Sequence, residues 1–219
     1  MEEKNLKYKL NSAFKLFDNI INSFNCKNLI SELKDKINPT FIFSGVGKNW
    51  YICEKEVKTF ISMGMNAKSL DCTHALHGDL GMLMNPNEEK YIFFVSKSGK
   101  TEEMHKLIDV IIDLKNKEII KNIHIIMICL YPDVLEIYKD KCFDYILVPD
   151  EIYKDISNIE LDERNLIPTL SINITQLVLD YIGVSVYETH QELIDNYKYN
   201  HLGGHNGSIL KMDKYLKEI

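Results

Sequence analysis

Short, unbroken runs of β-branched and aromatic residues, each closed by a turn and followed by a helical pattern, constrain this chain more than any other feature. The runs are Thr40-Phe41-Ile42-Phe43, Tyr91 to Val95, Ile123 to Leu130 and Tyr145 to Val148, with a weaker one near Ala67 to Leu70. They do not alternate apolar with polar residues, which is the pattern of strands covered on both faces of a parallel sheet. Helical spacing fills the gaps at Asn49 to Met63, at Thr101 to Lys115 and, briefly, near Pro132 to Lys139. Strand and helix alternate, so right-handed crossovers lay helices on both faces. The predicted fold is α/β: a three-layer α/β/α sandwich around a parallel five-stranded sheet. The order of the strands is not readable.

Helices flank this core. Leu6, Leu10, Ala13, Phe14, Phe17, Ile20, Ile21 and Phe24 share one face of an amphipathic helix, and a second helix covers Cys26 to Lys36. The first has more apolar surface than one short helix needs, so it is expected to meet a second subunit as well as its own sheet. Beyond a connector from Pro149 to Leu166, helices are predicted at Thr169 to Tyr181 and about Glu188 to Tyr199. Residues 1–36 read as helices packed on the core and 37–219 as the main body, one domain overall. With 45% apolar and 26% charged residues, a disordered or fibrous chain is excluded. A net charge of −6 argues against a nucleic-acid partner. No apolar run approaches the roughly 20 residues of a membrane span, and the N-terminus is not a secretory signal. The five cysteines are scattered, with no C-x-x-C. They read as buried thiols in a reducing, cytoplasmic setting.

Arg164 is the only arginine. A bound phosphate therefore cannot be held by a cluster of bidentate guanidinium forks, and must use lysine, hydroxyls or backbone N–H groups. Two segments offer these. Ser44-Gly45-Val46-Gly47-Lys48-Asn49 follows the first strand, where glycines admit a ligand close to the backbone and a helix start favours an anion; a plain tight turn is the alternative. Ser96-Lys97-Ser98-Gly99-Lys100-Thr101-Glu102-Glu103 follows a later strand and opens a helix. One hydroxyl would suffice as a cap; three hydroxyls and two lysines point instead to a phosphate cradle. His74 and His77 stand three apart before Asp79, a spacing compatible with a metal, but a catalytic or sugar-hydroxyl role for one of them is the better reading. In Asn200-His201-Leu202-Gly203-Gly204-His205, a histidine precedes a pair of glycines, which alone reads as helix-stopping turn chemistry.

The order of these pieces resembles the sugar isomerase (SIS) domain family over about residues 35 to 210. Gly45-Val46-Gly47-Lys48 is followed by Ala75-Leu76-His77-Gly78-Asp79-Leu80-Gly81, by Ser-x-Ser-Gly-x-Thr-x-Glu at Ser96 to Glu103, by Pro168-Thr169, and by His201-x-Gly203-Gly204. Within that family the pattern resembles the arabinose-5-phosphate isomerases, in the short form without CBS regulatory domains. The resemblance implies a flavodoxin-like nucleotide-fold type and a cytoplasmic homotetramer acting on a small sugar phosphate, with no cofactor, metal, membrane or nucleic acid. It implies catalytic roles for Lys48, His77, Glu103, Glu160 and His201, and phosphate contacts from Ser96, Ser98, Thr101, Gly47 and Asn49. Glu160 is chosen because it lies eight residues before Pro168; Glu163 is its near neighbour. Asn49, Lys100, His74 and Leu202 depart from the residues usual in the family, which bears on the identity of the sugar. The activity implied is D-ribulose 5-phosphate to D-arabinose 5-phosphate isomerisation. The alternatives are another phosphosugar isomerase, for a hexulose or heptose phosphate, and a non-catalytic phosphosugar sensor.

Overall fold

A computed structural model of the 219-residue chain describes residues 10, 11, 14, 15, 18–20, 22–141, 143–149, 159–162, 164 and 166–201. Residues 10, 11, 14, 15, 18–20, 22 and 23 are helical, and Ile20 is fully buried. The elements that follow are α1 (Lys27–Lys34), β1 (Thr40–Gly45), α2 (Lys48–Ser62), β2 (Asn66–Ser69), β3 (Lys90–Val95), α3 (Glu102–Asn116), β4 (Ile123–Ile128), α4 (Val134–Tyr138), β5 (Tyr145–Leu147), α5 (Leu170–Tyr187) and α6 (Gln191–Asn200). Two short 3-10 helices, Ala75–His77 and Asp79–Leu83, follow β2.

All five strands are parallel, in the order β2-β1-β3-β4-β5. Both β1 and β3 are buried along their whole length, which is why their apolar runs show no alternation. Successive side chains still point to opposite faces. Phe41, Phe43, Tyr91, Phe93, Ile126 and Ile128 pack with α1, α2 and α5. Ile42, Ile92, Phe94, Ile125 and Met127 pack with α3, α4 and the 3-10 segment. Two cores on the two sides of one sheet give the three layers.

One helix is longer than its sequence pattern suggested. α5 does not stop near Tyr181 but continues to Tyr187. Gly183 lies at the crossing with α2, where an added Cβ would sit 2.6 Å from the Phe60 ring. Phe60 is itself wedged edge-on between Phe41 and Phe43, with both centroids at 4.9 Å. α5 is also long and apolar enough, by length and composition alone, to cross a membrane, a property the sequence reading did not foresee. Half of it is buried, through Ile174, Val178, Leu179, Ile182 and Val186, so it serves as a core helix.

The sheet order positions the site. From β1 the chain crosses outward to β2 and then returns to β3 on β1's other side. The loops leaving β1 and β3 therefore diverge, and open a crevice at the carboxyl ends of the strands, where α/β sheets of this order take ligands.

Candidate active site

The loop after β1 is shaped by two glycines with different demands. At Gly45 an added Cβ would lie 3.0 Å from the Asn49 backbone, so only glycine lets the loop fold onto the start of α2. Gly47, the residue before α2, has φ 62° and ψ −126°, a conformation costly for any side chain. The space where its Cβ would stand is open. As a glycine, Gly47 brings no side chain to cap α2. Lys48, its first residue, is exposed, and Asn49 is half-buried.

The loop after β3 is tied more tightly. Ser96 is buried and its Oγ accepts from the Gly99 N–H at 3.0 Å; the Ser98 Oγ accepts from the Lys100 N–H at 3.2 Å. Each hydroxyl keeps its own proton to donate. Gly99 has φ 66°, and an added Cβ would lie 2.5 Å from Val134 Cγ2. The buried Tyr138 hydroxyl donates to the Gly99 carbonyl at 3.1 Å. Val134 and Tyr138 of α4 thus clamp the turn from below, a support no local motif announces. Thr101 occupies the cap position of α3 in extended conformation, yet makes no side-chain cap bond. The three hydroxyls and the first N–H groups of α3 all belong to this one turn, with Glu103 exposed in the first turn of the helix.

Glu160 meets this loop from 63 residues away. Lys97 Nζ lies 2.6 Å from Glu160 Oε1, which also accepts from the Ser171 hydroxyl. Oε2 accepts from the Thr169 N–H at 2.6 Å, the Thr169 hydroxyl at 3.1 Å and the Ser171 N–H at 3.4 Å. The carboxylate side chain is fully buried. Burial pushes its pKa up, but the bonds from Lys97, Ser171 and Thr169 outweigh that and hold it below the ordinary glutamate value. As an ion, Glu160 accepts from the Thr169 and Ser171 N–H groups at the start of α5. Sequence reasoning counted Lys97 only as a loop charge and missed its partnership with Glu160.

His77 closes the first 3-10 turn after β2 and is exposed. That segment is fastened to the end of β1, because the Ser44 hydroxyl donates to the Leu70 carbonyl at 2.6 Å and lies 3.1 Å from Cys72 Sγ. His74 turns instead to Asp71, at 2.9 Å. Among the described residues no three His, Cys, Asp or Glu side chains cluster as a metal site. Cys26, Cys53, Cys72 and Cys129 are buried and unpaired, as expected, and burial raises all four thiol pKa values, those of Cys26 and Cys72 to about 11 and that of Cys129 to about 12.

His201 lies elsewhere. It follows Asn200, whose side chain donates to the Ser62 carbonyl at 3.3 Å, at the far end of α2. Fifteen residues of helix make that about 22 Å from Gly47. Within one chain, then, Gly47, Lys48, Asn49, His77, Ser96, Ser98, Thr101, Glu103 and Glu160 gather at the carboxyl edge of the sheet, and His201 does not. Glu163, Gly203, Gly204 and His205 lie outside the described residues. A groove of about 850 Å³ near His201, lined by Ile37, Pro39, Met65, Leu193 and Tyr199 among others, has mainly apolar walls.

Known proteins share this architecture. No family model matches the chain. A Haemophilus influenzae protein assigned as an arabinose 5-phosphate isomerase is 28% identical over 169 residues, 77% of this chain and 44% of that protein. Among solved structures, a Bacteroides fragilis protein assigned as a phosphosugar isomerase involved in capsule formation superposes with TM-score 0.68 at 23% identity, over 92% of this chain and 98% of that one. An Escherichia coli CFT073 protein solved in complex with arabinose 5-phosphate gives TM-score 0.64 at 24% identity, over 86% and 93%. Its relatives and its neighbours in fold include sugar-phosphate isomerases, consistent with the sugar isomerase domain family. The expected α/β sandwich of that family is the observed one. The chain spans about half the length of the curated relatives it matches. A further neighbour in fold, the Vibrio vulnificus NanR protein, was solved with ManNAc-6P, at TM-score 0.62 and 15% identity over 94% of this chain and 69% of that one.

Proposed function

We propose that this sugar isomerase domain interconverts D-ribulose 5-phosphate and D-arabinose 5-phosphate through a cis-enediol. The observation that carries the reading is the turn after β3. Its three hydroxyls and the first N–H groups of α3 lie in one turn at the switch point of the sheet, within one lysine's reach of a buried carboxylate, and serve in this reading as an arginine-free phosphate cradle.

In this reading Ser96, Ser98, Thr101, Gly47 and Asn49 seat the phosphate ester. Glu160 takes a proton from C1 of the ketose and the C1–C2 enediol forms as O2 gains a proton; a proton is then returned to C2 as the O1 hydroxyl gives up its own and becomes the aldehyde oxygen. Lys48, His77 and Glu103 orient the sugar and polarise its oxygens. The remote phosphate supplies binding energy that aligns the reacting carbons. His201, on the far edge of its own chain, joins a site only from a second copy, which fits the homotetramer proposed for this chain.

The test is to incubate the pure protein with D-ribulose 5-phosphate in D₂O and follow D-arabinose 5-phosphate carrying deuterium at C2, with Glu160→Gln, His77→Ala and His201→Ala in parallel. Equal turnover in all four removes the site assignment. Phosphosugar binding with no turnover on pentose, hexose or heptose phosphates would assign a sensor instead.

A further inference from the structure

Glu160 as it stands cannot act as a base. Lys97 and the Ser171 hydroxyl occupy one oxygen, and Thr169 and the Ser171 N–H occupy the other. One of these partners has to leave before the carboxylate can accept a proton. Thr169 and Ser171 belong to the start of α5, and are fixed by its backbone. Lys97 differs from them. Its ammonium ends a flexible four-carbon stem, it is partly exposed where the carboxylate is not, and it stands between Ser96 and Ser98 in the turn read above as the phosphate cradle.

We propose that Lys97 is a positioning residue shared between two anions: at rest it holds Glu160, and the phosphate of a bound sugar phosphate draws it away, so that seating the ester frees the base. This rests on the phosphate cradle and on Glu160 as the proton acceptor. A dianion attracts an ammonium more strongly than a monoanion does, and charge-assisted bonds to phosphate oxygens replace the bond given up. Thr169 and Ser171 keep Glu160 in place while its cation departs. Discrimination in favour of phosphorylated sugars then arises in the chemical step as well as in binding, because an unphosphorylated sugar leaves the base locked.

The full chain, labelled with ¹³C at the glutamate carboxyl carbons, tests this by NMR titration. The Glu160 resonance is assigned by its loss in Glu160→Gln. The probes are inorganic phosphate and D-arabinitol 5-phosphate, which has no carbonyl to isomerise. In the wild type either probe is expected to raise the midpoint of the Glu160 titration by about one to three pH units, the effect of losing an adjacent cation. In Lys97→Met the midpoint starts high and moves little; Lys97→Arg restores the response. In turnover, the acid limb of kcat lies at higher pH than that of kcat/KM in the wild type, and the two coincide in Lys97→Met.

A wild-type midpoint that ignores bound phosphate, or an equal movement in Lys97→Met, overturns the proposal. The wild-type titration decides even if Lys97→Met does not fold. If the midpoint moves but no sugar phosphate turns over, the coupling stands and the isomerase reading falls. If the protein isomerises and the midpoint stays, the coupling falls alone.

Discussion

The two edges of the sheet are built to opposite rules. At the carboxyl edge, α2 and α3 start without side-chain caps, Gly47 borders open space, and Lys48, His77 and Glu103 stand exposed. At the amino edge, polar groups are paired with one another. Glu32 of α1 accepts from the Tyr91 hydroxyl at 2.7 Å and the Tyr145 hydroxyl at 2.5 Å. His124 stacks on Tyr91 with ring centroids 4.4 Å apart, among Glu89 at 3.2 Å and Glu32 and Asp144 at 3.6 Å. The buried Lys90 ammonium donates to the Asn85 and Glu88 carbonyls, both at 2.6 Å. Satisfied networks rigidify a fold; the first N–H groups of a helix favour an anion. One edge ties the sheet together; the other carries the proposed phosphate site.

Substitutions on the two edges should therefore separate activity from stability. The largest effect is expected from Glu160→Gln, a loss of about 10²–10⁴ in kcat, the usual worth of a general base. Its matched variant, Glu32→Gln, should lower the melting temperature and leave kcat near wild type. Equal losses of kcat in both would erase the distinction between the edges.

Next in size is Thr101→Val, which removes a hydroxyl the helix itself does not use. Hydrogen bonds to charged groups are worth about 1.5–3 kcal/mol, so KM for the sugar phosphate should rise roughly ten- to a hundredfold, with the melting temperature unchanged.

A smaller, pH-dependent effect belongs to His124. The Asp144 carboxylate foremost, with Glu32 and Glu89, raises its pKa. Its stabilising contribution is therefore complete below the unfolded value and fades as pH rises through the folded one. His124→Ala should lower the melting temperature at pH 5 more than at pH 9; the reverse trend would remove the charge network from the account.

The smallest effect concerns Glu56, inside α2. It is fully buried, and its Oε2 is the one buried side-chain polar atom among the described residues without a partner. Burial, with Asp180 nearby, raises its pKa to about 8. Its folded value lies above its unfolded one, so stability falls as pH climbs from about 4.5 through 8. Glu56→Gln should be nearly neutral at pH 5 and stabilising at pH 9, as read by thermal unfolding.

How much of this was legible in the chain depends on the range of the interaction. β1, β3 and β4 announce themselves because burial on both faces demands unbroken apolar runs, and the glycine and serine turns after β1 and β3 are local. β2 is faint: it is a half-exposed edge strand, Asn66-Ala67-Lys68-Ser69. Strand order is set by packing across the sheet and leaves no local mark. For the same reason Glu160 could be named as a site residue and Lys97 as a charge in the turn, but not the two as partners. Glu56 reads in the helical pattern as an ordinary polar position. α5 outran its expected end because Gly183, a helix-weakening residue in isolation, is what the Phe60 contact requires. His201 could be singled out from its glycine pair, but its place at the far end of α2 depends on how α6 docks.

The central claim is that the turn after β3 holds the phosphate of the substrate. A crystal structure of the protein soaked with D-arabinose 5-phosphate tests it most directly. The account predicts phosphate oxygens within hydrogen-bond distance of the Ser96, Ser98 and Thr101 hydroxyls and of the first N–H groups of α3, with the sugar carbons extending toward Glu160. A phosphate bound at the amino edge, or in the apolar groove beside Tyr199, with that turn unoccupied, would contradict it.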